Sequence, residues 1–155
     1  MEDIKNPIEL IEDWRTTFGL PVLKKYIPLK AVGTSKREEI ALGFKLMQEE
    51  LGETIFAAIT EDDAEFKDGI IDMLFILIQI ANTSGVDIQE FTQRVYDANM
   101  SKLCPDLACA NDTIDKYRKE GIAAYSELTS GGRFIIKRKS DGKVLKGINF
   151  KKPEF

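Results

Sequence analysis

The chain has 155 residues, 43% of them hydrophobic, which is the length of one ordinary domain with a core of its own. Its 22 basic and 26 acidic residues leave a net charge of −4, without the basic excess of a phosphate-backbone binder, so no nucleic-acid partner is expected. Histidine is absent, which excludes histidine acid–base catalysis, histidine metal triads and serine-type triads and leaves carboxylates, lysines, hydroxyls or a bound metal to carry any chemistry.

The opening MEDIKNPIELIEDW is acidic and amphipathic and lacks the basic flank and apolar run of a secretory signal. Two cysteines, Cys104 and Cys109, stand without a histidine to complete a zinc site, so a reduced, cytoplasmic setting is expected. Ile8, Ile11, Trp14 and Phe18 predict a short amphipathic helix stopped by Gly19 and Pro21. The stretch from Leu23 to Gly33 contains Pro28 and no sustained period, and reads as a linker or lid.

Ser35-Lys-Arg-Glu38 has the form of a capping box and predicts the start of a long second helix. Ile40, Phe44, Met47, Leu51, Ile55 and Ala58 follow at helical spacing as its expected core stripe. Glu61, Asp62 and Asp63 place negative charge at the positive end of a third helix, which runs to about Thr83 before Gly85. From Phe66 to Ala81 that helix is apolar on most of its circumference and is expected to be surrounded by other helices. Its apolar run, Ile70 to Ala81, is shorter than the roughly 20 residues needed to span a bilayer, so no membrane association is expected.

Asp87 with Glu90 forms a second possible capping box, and Ile88, Phe91, Val95 and Ala98 predict a fourth helix ending near Lys102. Pro105 marks a break, and a weaker helix is expected over Asn111 to Tyr125. After Ser130-Gly131-Gly132 the period changes, predicting a β-hairpin over about 133–149 that turns on Asp141-Gly142. The expectation is an all-α bundle of four to five helices in one domain, 1–155, with its helical core at about 8–125 and a small C-terminal β-hairpin.

Within this frame the carboxylates are distributed unevenly. Glu50 and Glu53 share one side of the second helix, in a row with Leu46 and Ala57 and apart from the core stripe. Glu65, Asp68, Asp72 and Gln79 occupy one narrow sector of the third helix, where Asp72 is hard to place in bulk solvent. Packed antiparallel across residues 60 to 62, the two faces meet, and Mg²⁺, a hard cation preferring oxygen ligands, would neutralise the cluster. The competing structural reading is a buried ion pair from Arg37 or Lys45 to Asp72. A di-iron carboxylate bundle needs Glu-x-x-His on two helices, which this chain lacks.

Glu49-Glu50-Leu51-Gly52-Glu53 resembles the Glu-Glu-x-x-Glu signature of the all-α nucleoside triphosphate pyrophosphohydrolases, the MazG-like and phosphoribosyl-ATP pyrophosphohydrolase-like group. Asp68-Gly-Ile-Ile-Asp72 is similar to the acidic helix that completes their Mg²⁺ site. Asn99-Met-Ser-Lys102 and Asp141-Gly-Lys143-Val-Leu-Lys146-Gly are similar to segments of the phage and bacterial branch, and the likeness spans roughly residues 15 to 154. One departure is Gly69, which stands three before Asp72 where many relatives carry the glutamate of Glu-x-x-Asp.

The resemblance implies hydrolysis of a nucleoside triphosphate to the monophosphate and pyrophosphate, with Mg²⁺ or Mn²⁺ held by Glu50, Glu53, Asp72 and Asp68, or Glu65 in place of Asp68. It further implies that Glu49 orients or deprotonates the attacking water, that Asn99, Lys102, Lys143 and Lys146 bind the substrate, and that the protein is a homodimer or homotetramer. The rival from outside enzymology is a non-catalytic helical interaction module whose acidic face binds a partner or a structural cation.

Overall fold

The first helix begins where Asn6 and Glu9 cap each other. In the computed structural model, which describes residues 6–155, the Glu9 amide donates to the Asn6 side chain at 3.0 Å and the Asn6 amide donates to the Glu9 carboxylate at 3.3 Å. Pro7, whose missing N–H costs nothing at the first helical position, opens α1 (Pro7–Thr17).

The long second helix, α2 (Thr34–Thr60), starts two residues earlier than the Ser35 box suggests. Its N-cap is Gly33, with no side-chain cap, because the chain reaches it directly from the single 3₁₀ turn Leu29–Ala31. Glu61 ends α2 in the left-handed conformation with φ 59°. Asp62 then accepts the amides of Ala64 and Glu65, both at 3.1 Å, to open α3 (Asp63–Ser84). The acidic cluster therefore divides its work: one residue turns the chain and the next caps. Gly85 closes α3 at φ +74°, against Lys25, whose carbonyl oxygen would lie 2.0 Å from any β-carbon there.

The chain divides into two compact units, one ending at Ile88 and the other running from Gln89 to Phe155. In the first, α2 and α3 form an antiparallel helical hairpin. Its register is set by Thr83 donating to Glu39 at 2.6 Å at one end and by Thr54 meeting Gly69 at the other. The face of α2 turned to α3 carries the buried Thr54 and Ala57, not the expected stripe: Phe44 and Ile55 are each 51% exposed. Nor is α3 surrounded by helices, since Ile70, Ile71, Leu74 and Leu77 are all exposed. The two helices meet through their smallest side chains, which permits a close approach and leaves the larger apolar groups outside.

Across the end of α3 runs the segment 20–28, tied down by Leu23 donating to the Asn82 carbonyl and Ile27 to that of Ser84, each at 3.0 Å. Arg15 of α1 is fully buried here. It donates to the Pro21 carbonyl at 2.9 Å and to Glu39 at 2.9 Å, joining α1 and α2.

The second unit contains α4 (Ile88–Met100), α5 (Leu107–Lys119) and an antiparallel pair, β1 (Ala124–Leu128) with β2 (Phe134–Arg138). Helix α5 begins earlier than expected because Asp106, just after Pro105, caps it by accepting from the Cys109 amide at 2.8 Å. It ends at Lys119, so the helical core stops short of 125 and Tyr125 lies in β1.

The hairpin expected over 133–149 is likewise corrected. Its strands are joined at Thr129–Arg133, where Gly132 supplies φ +76°. Asp141-Gly142 does return the chain along β2, but only to a single bridge from Lys137 to Val144. Cys104, Ala110, Tyr117, Ile136 and Leu145 form this unit's core.

Candidate metal centre

At residue 69 a side chain larger than hydrogen has no room: a β-carbon there would stand 2.1 Å from the Thr54 hydroxyl oxygen. That hydroxyl is held in turn, donating to the Glu50 carbonyl at 2.7 Å. The contact fixes the register of the two helices, so that Glu50 and Glu53 of α2 face Asp68 and Asp72 of α3. Gly69, the departure noted in the sequence, is thus the point of closest helix approach.

The effect is visible at Glu50. Partial burial raises its carboxyl above the ordinary carboxylate value, and the negative charges of Asp72, Glu53, Asp68 and Glu65, in that order, raise it further. The other three carboxylates named from sequence therefore all lie close enough to act on Glu50, and Glu65 joins them. Sequence reasoning kept Glu65 only as a substitute for Asp68, although Glu65-Phe-Lys-Asp68 itself carries the Glu-x-x-Asp spacing one turn before Gly69 and Asp72. As oriented, no three histidine, cysteine or carboxylate side chains among the described residues are grouped to hold one ion.

Asp72 differs from expectation. It is exposed in this chain, because the apolar sectors on either side of it are open, so it needs no buried partner. The alternative ion pair from Lys45 goes elsewhere: Lys45 approaches Glu49 at 3.8 Å, one turn along α2 and on the surface. Glu49 is exposed and engaged in that pair. A cavity of about 410 Å³ opens beside the cluster at the α2–α3 turn, lined by Gly52, Glu53, Phe56, Thr60, Asp62 and Glu65.

The polar residues named for substrate binding all lie in the second unit. Lys102 donates to the Asn99 side chain at 2.6 Å, both at the end of α4. The Gly147 amide donates to the Lys102 carbonyl at 3.2 Å, which runs the Lys146 segment alongside Lys102. The Lys146 ammonium stands 4.5 Å from the centre of the Phe150 ring, and Lys143 is exposed, its amide held by Asp141 at 3.1 Å. Residues 1–88 hold 9 basic and 17 acidic side chains, a net −8, whereas residues 89–155 hold 13 and 9, a net +4. The two signs of charge are segregated by unit.

Residues 27–99 match the family described as phosphoribosyl-ATP pyrophosphohydrolase, part of the MazG-like all-α NTP pyrophosphohydrolase superfamily. The match includes every carboxylate of the cluster and Asn99, and stops before Lys102, Lys143 and Lys146. An uncharacterized protein of Acanthamoeba polyphaga mimivirus is 32% identical over 88 residues, which make up 54% of this chain and 35% of the viral protein. The chain thus spans about a third of the length of the relative it matches.

Proposed function

We propose, from the match of residues 27–99 to the phosphoribosyl-ATP pyrophosphohydrolase family, that this protein hydrolyses a nucleoside triphosphate to the monophosphate and pyrophosphate in a Mg²⁺-dependent reaction. The observation that carries this reading is the convergence of like charge on Glu50 from two helices held together at Gly69 and Thr54. The donor set fits a hard divalent cation, since it is built from carboxylate oxygens that repel one another until a cation neutralises them. Glu50, Glu53, Asp68 and Asp72 would hold the metal, with Glu65 in reach of the same cluster. When bound, Mg²⁺ would neutralise phosphate oxygens and lower the pKa of a water; Mn²⁺ has the same ligand preferences.

The remaining work falls to the chain's own side chains. Glu49 would orient the attacking water or take its proton, and to do so it leaves Lys45, an exposed i,i+4 pair that holds it by only about 0.3–0.5 kcal/mol. Asn99, Lys102, Lys143 and Lys146 would bind the polyphosphate. The positive balance of residues 89–155 suits that role. The apolar side chains left open on α2 and α3 support assembly as a homodimer or homotetramer, since a patch of this extent is costly to leave in water.

The test is to incubate the protein with ribo-, deoxy- and modified triphosphates and Mg²⁺ and to separate the products. Monophosphate with pyrophosphate is the expected pair. Release of diphosphate and phosphate would overturn the reaction class, and inertness towards the whole panel would favour a non-catalytic interaction module.

A further inference from the structure

The antiparallel seam between α2 and α3 continues beyond the carboxylates towards the open end of the hairpin. Leu46 lies one turn before Glu50 on α2, and Gln79 lies two turns after Asp72 on α3, about 10 Å along the helix. There the seam widens into a cavity of about 100 Å³, lined among others by Glu39, Leu42, Leu46, Ile76, Gln79 and Thr83. Its chemistry differs from that of the cavity at the other end. The 410 Å³ cavity at the turn is lined by Glu53, Asp62 and Glu65, whereas this one has a single acidic group, already paired with Arg15 at 2.9 Å. Apolar walls with an amide, a hydroxyl and one neutralised carboxylate suit an uncharged heterocycle, not a phosphate.

The polar groups that line this cavity also keep hydrogen-bonding capacity that holding the fold does not use. The Gln79 backbone carbonyl accepts from Thr83 at 3.0 Å and from Arg15 at 3.5 Å, while its side-chain amide makes no hydrogen bond among the described residues. Glu39 spends one oxygen, Oε1, on both Arg15 and Thr83, which fixes its position and leaves Oε2 as an acceptor. An amide offers a donor and an acceptor side by side, and a glutamate offers an acceptor only. Together they match a base edge with an exocyclic amine beside a ring nitrogen acceptor, as in adenine and cytosine. An edge where a carbonyl replaces that amine matches less well.

We propose that this cavity is the base subsite of the same active centre, with Gln79 and Glu39 setting a preference for amino-bearing bases. The proposal rests on the triphosphate hydrolase reading above. The ribose would bridge the two turns of helix between the carboxylates and Gln79, laying the nucleotide along the seam.

The test compares matched pairs, ATP with ITP and CTP with UTP, using the full chain and Mg²⁺. The expected result is a preference for ATP and CTP of roughly 5- to 150-fold in kcat/KM, carried by KM. Gln79→Leu should collapse the preference by raising KM for ATP and CTP, at an unchanged melting temperature, and Leu46→Trp, which fills the cavity, should raise KM for all four. Turnover without discrimination, or discrimination that survives Gln79→Leu, overturns the subsite and leaves the hydrolase reading intact. An absence of turnover on all four and on the wider panel overturns both. If Gln79→Leu and Leu46→Trp shift the association state by sedimentation and leave KM alone, the cavity is a contact between copies of the chain and the proposal fails.

Discussion

Gly69 of α3 lies against Thr54 of α2 so closely that the two helices could not approach as they do with any side chain at position 69. Thr54 cannot simply swing away, because its hydroxyl is bonded to the Glu50 carbonyl. Gly69→Ala should therefore push the helices apart at the carboxylates. Overpacking costs about 1–3 kcal/mol, and the helix propensity of alanine returns about 1 kcal/mol, so a net loss of up to about 2 kcal/mol in urea unfolding is expected. Adding Thr54→Ala should recover most of it. A Gly69→Ala variant as stable as the parent would show that this contact does not set the helix spacing.

Arg15 and Glu39 form a pair that is buried unequally, at 0% and 37% side-chain exposure. Removing Arg15 leaves a carboxylate that can turn to water. Removing Glu39 leaves a fully enclosed guanidinium with only carbonyl partners. Breaking a buried pair from one side costs about 3–5 kcal/mol, and the asymmetry predicts that Glu39→Ala sits near the top of that range and Arg15→Met below it. Denaturant unfolding of the two variants decides; equal losses would mean that the pair is effectively solvated.

These two contacts also show what could be read from the sequence. The acidic start of α3, its end at Gly85 and the carboxylate rows were all legible, because capping chemistry and helical spacing act locally. The buried face of α2 was not. It is chosen by the smallness of Thr54, Ala57 and Gly69, whereas the periodicity follows the larger groups that remain outside. The same choice leaves Asp72 exposed, so an inference from its apolar neighbours placed it too deep. The burial of Arg15 was not legible either, since nothing in its own helix shows that Pro21 and Glu39 enclose it. The Asp141-Gly142 turn was real but closed on a single bridge, while the weaker Ser130-Gly131-Gly132 signal joins the strands.

Charge at the cluster gives a prediction that separates folding from function. Because Asp72, Glu53, Asp68 and Glu65 all press on Glu50, replacing Asp72 by asparagine should raise the melting temperature slightly in the absence of divalent cations. Both partners are solvent-accessible and screened, so the gain should be small and should shrink in salt. With Mg²⁺ the order should invert: the parent gains stability by mass action and Asp72→Asn gains little. Thermal melts with and without Mg²⁺ test both halves, and a parent chain indifferent to Mg²⁺ would remove the metal from the proposal.

Cys109 lies in the first turn of α5, where a helix N-terminus would by itself lower a thiol pKa. Here it is pushed up to about 11 by burial first and then by the neighbouring Cys104 thiol. The consequence for stability follows from the sign of the shift. A group whose folded value lies above its unfolded value of 9.0 contributes fully below that value and loses its contribution as pH rises towards 11. Stability should therefore fall across this window by more in the parent than in Cys109→Ala, as measured by urea unfolding at a series of pH values. In the folded chain near neutral pH, Cys109 should also react with iodoacetamide far more slowly than in the unfolded chain, since the thiolate is the nucleophile. Equal alkylation rates in the two states would show that the thiol is open to solvent and its pKa unshifted.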